Sequence, residues 1–157
     1  MGIKTLLTAV GVALTLAVAG CTTESGGPIN TASTAPAIPA GEALYKGTFP
    51  CRSCSGIDVT LTMKGMDSSS TSQDRTFDIN AAHRGTDYSN SDQHYTGHWF
   101  TQTGIPTNPQ AKVLILKPEQ QGGNTYYFLQ RNNKELELIS PQLYTFENGS
   151  MLRLKRQ

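Results

Sequence analysis

The side chains of this 157-residue sequence best suited to chemistry are a pair of cysteines and three histidines. Cys51 and Cys54 lie in Phe49-Pro50-Cys51-Arg52-Ser53-Cys54-Ser55-Gly56-Ile57. Sulfurs at this spacing permit a structural disulfide, a redox-active dithiol, or a soft-metal site, since thiolates favour Cu(I) and zinc. A disulfide here would close a short loop and stabilise less than a long staple. A redox pair wants a thiolate lowered by a cation or a helix N-terminus. Arg52 offers the charge, but Gly56 leads into a strand pattern. Structural zinc needs four ligands, whereas Cu(I) tolerates two thiolates. The residues alone leave the three chemistries open.

His94 and His98 share one face of a strand but stand about 13 Å apart along it, too far for one metal ion unless the chain bends. His83 is isolated in a polar stretch. No GxSxG, HExxH, P-loop or dinucleotide fingerprint is present, and serines in a Ser-rich chain define no triad. The reading is therefore non-enzymatic, with no catalytic residue assigned. Charged residues make up 16% and the formal charge is +1, which gives no case for nucleic acid as a partner. Arg153, Lys155 and Arg156 form a small basic cluster, suited to anionic head groups or to a solvated strand edge.

These residues sit behind a leader. Lys4 provides a positive start, and from Ile3 to Val18 every other residue is apolar, Gly or Thr. The apolar run is shorter than the roughly 20 residues of a spanning helix. It ends in Val18-Ala19-Gly20-Cys21, which resembles a bacterial lipobox. That resemblance implies cleavage of residues 1–20 as a lipoprotein signal peptide. Cys21 then carries a thioether-linked diacylglycerol and an N-acyl chain, enough acyl chains for a stable anchor. Thr22 follows where an Asp often marks inner-membrane retention. The resemblance thus implies the lipoprotein sorting machinery as a partner and the outer membrane as destination, facing the periplasm. Residues 21–41 hold the acylated cysteine and a disordered, Thr-, Ser-, Gly- and Pro-rich tether.

From 42 to 157 the apolar residues alternate in twos. Ile57, Val59, Leu61 and Met63 give the cleanest half-buried strand. Similar signals fall at Leu44–Phe49, Phe77–Asn80, Tyr95–Phe100, Thr125–Gln130, Glu135–Leu138 and Leu152–Lys155, and Val113–Leu116 is apolar on both faces. Turns are predicted over Gly65–Gln73, Arg84–Asp92, Gly104–Gln110, Pro118–Asn124 and Arg131–Asn133, with a short helical turn near Pro141–Phe146. The expected fold is all-β, a small antiparallel barrel of about eight strands, with a sandwich as the alternative.

Leu44-Tyr45-Lys46-Gly47-Thr48-Phe49-Pro50-Cys51-x-x-Cys54-x-Gly56-Ile57, with Thr96-Gly97-His98-Trp99 and the Tyr126–Leu138 region, resembles the N-terminal domain of the NlpE copper-homeostasis lipoproteins. The resemblance covers about residues 43–156 and implies a lipocalin-like barrel. It also implies copper tolerance, adhesion sensing and activation of an envelope-stress sensor kinase, with Cys51 and Cys54 as the copper-linked pair. Where acidic or small residues often sit between those cysteines, this chain has Arg52 and Ser53, and a cation there does not help a cationic metal bind. The second, C-terminal domain of some members is not expected here. Competing expectations are a lipocalin-like binder of a small apolar ligand and a purely structural envelope protein.

Overall fold

A computed structural model describes residues 38–85 and 92–157. Eight antiparallel strands form a closed barrel in sequence order. They are β1 (Glu42–Phe49), β2 (Gly56–Lys64), β3 (Thr76–Arg84), β4 (Gln93–Ile105), β5 (Asn108–Pro118), β6 (Tyr126–Asn132), β7 (Glu135–Ile139) and β8 (Arg153–Arg156). Closure comes from β8 pairing with β1, Tyr45 opposite Arg156 and Lys46 opposite Lys155. It leaves no free sheet edge. The all-β barrel reading holds, and no sandwich forms.

The period-2 pattern explains the interior. Ala43 and Tyr45 of β1, Val59, Leu61 and Met63 of β2, and Phe77 and Ile79 of β3 point into one core. Trp99, Leu114, Leu116, Phe128, Leu136 and Leu154 fill it from the other walls. Tyr45 and Phe128 are fully buried there, so large side chains occupy the space in which a lipocalin-like barrel would hold a ligand. The Trp99 indole Nε1–H donates to the Lys64 carbonyl at 2.8 Å, and the Arg75 guanidinium lies 5.2 Å from its ring centre.

Val113–Leu116 is apolar on both faces because both faces are covered. Leu114 and Leu116 enter the barrel, while Val113 joins Ile105, Ala111, Leu129 and Ile139 in a second cluster. The segment 140–152, between β7 and β8, packs over that outer cluster through Leu143. This strap corrects one expectation: Pro141–Phe146 is not helical. Its chain is held by an isolated bridge between Ile139 and Thr145, and Leu143 takes a positive φ of 64°. The helical turn lies later, a 3-10 turn over Gly149–Met151.

A second correction concerns Gly104–Gln110. β4 runs to Ile105 and β5 begins at Asn108, so only Pro106 and Thr107 form the turn. Pro109 is tolerated because the β5–β6 ladder begins only at Val113. The β4–β5 register shifts between Thr103 and Ile105, where Gly104 has a φ of 96°. β3 also runs further than the pattern indicated, through Arg84.

Strict alternation of direction sorts the connections between two ends. Residues 38–41 lead into β1 at one end, together with the β2–β3 loop, the β4–β5 and β6–β7 turns and Gln157. The β1–β2 loop with both cysteines lies at the opposite end, with the strap.

Candidate functional site

The cysteine loop is built by the strands on either side. β1 and β2 pair without a break from Glu42 opposite Lys64 to Phe49 opposite Ile57. Pro50 to Ser55 then form the connection. Gly56 makes the return possible: its φ is 146°, and a Cβ there would press on Thr48 Cγ2. Ser55 N–H donates to the Arg84 carbonyl at 2.9 Å, tying the loop to β3.

Cys51 and Cys54 form a disulfide, with their Cα atoms 5.3 Å apart. Both are half-buried, while Arg52 and Ser53 between them are exposed. Cys54 Sγ lies 3.3 Å from the Gly56 carbonyl, a contact and not a hydrogen bond, since a disulfide sulfur carries no proton. Of the three chemistries that the spacing permitted, the described protein adopts the first.

Beneath the loop, Asp58 fastens three strands. Thr48 Oγ1–H donates to it at 2.7 Å, and Arg84 Nε–H and Nη2–H donate to its two oxygens. Hydrogen bonds from Arg84 and then Thr48 pull the Asp58 carboxyl down to about 2. No sequence signal marks this clamp, because its members lie far apart along the chain.

As bonded sulfurs, Cys51 and Cys54 offer no thiolate, so the oxidised loop does not fit a copper ion. Arg52, exposed between the two cysteines, adds a cation that does not help a cationic metal bind. Among the described residues no group of three His, Cys, Asp or Glu side chains is placed to hold a metal. The histidines stay apart, each with its own carboxylate: His94 Nε2 lies 3.0 Å from Asp78 and His98 Nε2 3.1 Å from Glu119. The His83 backbone N–H donates to Asp92 at 2.9 Å, and its ring Nδ1 lies 3.8 Å from the same carboxylate. Cys21 and most of the tether lie outside the described residues.

Sequence reasoning also missed a buried ionic cluster. Glu137 faces outward, as the alternation required, yet the strap covers it and leaves it 1% exposed. Arg131 donates to it twice at 2.8 Å, and Arg153 Nε–H once at 2.9 Å. Arg131 first and Arg153 after it hold its carboxyl below the usual range, against the opposing effect of burial. Gly149 must be glycine, because a Cβ would overlap Glu137 Oε1. The available signal was the apolar character of outward-facing Val113, Leu129 and Ile139, which announces a cover.

A closed eight-stranded meander, filled by its own side chains and clipped by a disulfide between its first two strands, is a small barrel of the lipocalin-like kind. The chain belongs to the NlpE N-terminal domain family, which matches residues 45–147 and so most of its length. No curated protein and no solved structure matches it. Membership makes the protein a non-enzymatic lipoprotein of the bacterial envelope.

Proposed function

We propose that the protein is an outer-membrane lipoprotein, anchored through acylated Cys21 and facing the periplasm, that serves a copper or envelope-stress response by protein contact. The observation that carries this reading is the position of the Cys51–Cys54 loop. It lies at the barrel end opposite the one where the chain enters from the tether. A loop so placed is held rigid by its disulfide and by the Asp58 clamp, with Arg52 and Ser53 exposed for a partner. An envelope-stress sensor protein is the partner the family context supports. Direct copper handling enters only through the reduced pair, since two thiolates suffice for Cu(I). The filled interior weighs against the small-apolar-ligand alternative.

The test has two arms. In cells, Cys21→Ala is expected to abolish acylation and the stress response together. Cys51→Ser/Cys54→Ser is expected to weaken the response while leaving the protein anchored. A full response from the unacylated chain removes the anchored reading. In vitro, native mass spectrometry of the mature chain, oxidised and then reduced with anaerobic Cu(I), reads copper directly. A single copper held only by the reduced chain and lost in the double variant supports a metal role. None in either state confines the cysteines to structure.

A further inference from the structure

We propose that the barrel end at which the chain enters is a membrane-facing surface, on which Lys46, Lys134, Lys155 and Arg156 dock to anionic phospholipid head groups. Lys46 and Lys155 stand directly opposite each other across the β1–β8 ladder. Like charges so placed repel, and an external anion relieves the repulsion. Arg156 N–H donates to the Lys134 carbonyl at 2.7 Å, which brings the β6–β7 turn against β8. Lys134, Lys155 and Arg156 then line one recess of about 540 Å³ with Asn132, Asn133 and Glu135. All four cations are exposed, and none is within 4 Å of a carboxylate among the described residues.

The nearby acids are otherwise engaged or set aside. Glu135 stands opposite Lys155 across the β7–β8 ladder, but its carboxylate accepts from Asn132 at 3.2 Å and lies 3.9 Å from Arg153. Glu42 pairs with Lys64 at 3.3 Å, Asp74 accepts from Thr71, and Asp67 lies beneath Gly41. The position of the cluster argues for lipid over other anions. Arg156 Nη2 reaches the backbone oxygen of Glu42, the first residue of β1, at 3.5 Å. Arg156 therefore lies at the point at which residues 38–41 arrive from the segment that bears Cys21, with Lys134 and Lys155 beside it and Lys46 four residues along β1. Each Lys or Arg at an anionic surface strengthens attachment roughly fivefold. The proposal rests on the Cys21 anchor for which membrane is met, but not for the docking itself.

The test uses the mature chain from Cys21 with its disulfide intact, coupled through the Cys21 thiol to a maleimide lipid. One vesicle set is phosphatidylcholine alone and the other contains phosphatidylglycerol. A neutral acylating reagent labels the lysines, and peptide mass spectrometry reads each rate. Lys46, Lys134 and Lys155 are expected to react about threefold or more slowly on the anionic vesicles, with Lys117 on β5 unchanged. Lys134→Gln/Arg156→Gln is expected to shrink the slowing at Lys46 and Lys155. Inorganic phosphate at about 10 mM is expected to leave the slowing in place; its loss would mark a general anion site and overturn the membrane assignment. Equal rates on both vesicles, or equal slowing at Lys117, also overturn it. Because the coupling is chemical, a failure of acylation in cells sinks the anchor without touching this result.

Discussion

Replacing Glu137 by Gln removes one negative charge from between two guanidiniums and changes little else. The carboxylate is 1% exposed, and its oxygens accept three hydrogen bonds from Arg131 and Arg153 at 2.8–2.9 Å. Breaking a fully buried pair costs about 3–5 kcal/mol. Here the arginine side chains remain 38% and 33% exposed, so they regain hydration when the charge is lost. The expected loss is therefore nearer 2–3 kcal/mol, or about 10 °C in Tm for a domain of this size. The pH dependence has a defined sign. A lowered folded pKa contributes stability that is complete above the ordinary carboxylate range and is lost as pH falls through the lowered value. Urea unfolding followed by Trp99 fluorescence, from about pH 7 down to about pH 2, should show the gap between wild type and Glu137→Gln contracting on the acid side. A gap below about 0.5 kcal/mol at neutral pH, or one that stays constant into acid, would refute the buried-charge argument.

Three further outcomes are expected. Trp99→Phe removes the 2.8 Å donor to the part-buried Lys64 carbonyl and should cost about 1 kcal/mol in urea unfolding. Cys51→Ser/Cys54→Ser opens a disulfide of sequence separation 3, so chain entropy limits the loss to about 2 kcal/mol, and circular dichroism should show the barrel retained. The Asp58 carboxyl should titrate near 2 by NMR, and Arg84→Gln should move it back toward the model-compound value of 3.8.

The barrel was legible because its interior obeys one rule. Wherever a wall met solvent on its outer side, as in β2, the alternation of Val59, Leu61 and Met63 with polar neighbours reported the fold directly. The reading weakened where the outer face is also covered. Val113–Leu116 showed the double cover, but nothing local indicated that 140–152 supplied it, because Leu143 packs on residues of β4, β5 and β6 that lie far away in sequence, and the strap has no period of its own. The predicted helical turn failed there for that reason. Among the candidate functional residues, the Cys51–Cys54 pair was visible from spacing, and the choice of disulfide came from the structure. The Asp58–Arg84–Thr48 clamp was illegible, since three strands had to be registered before those side chains could meet.

The length of the tether bears on how the barrel sits. The stretch from Thr22 to Ala40 reaches about 65 Å at full extension, whereas a nine-residue strand such as β2 spans only about 30 Å. An anchor at Cys21 therefore lets either end of the barrel touch the membrane, and any preferred orientation has to come from the barrel's own surface. Four exposed cations with no carboxylate within 4 Å among the described residues supply such a preference. With that end down, the Cys51–Cys54 loop stands roughly 30 Å from the lipid, several Debye lengths beyond the head-group field at physiological salt. The exposed Arg52 is then free of competition from lipid phosphates and open to a partner approaching from the periplasm. A barrel held the other way up would bury that loop against the membrane and leave Lys46 facing Lys155 with no lipid phosphate to offset the repulsion. The two arrangements predict opposite effects of anionic lipid on access to Arg52, so orientation and function are tested together.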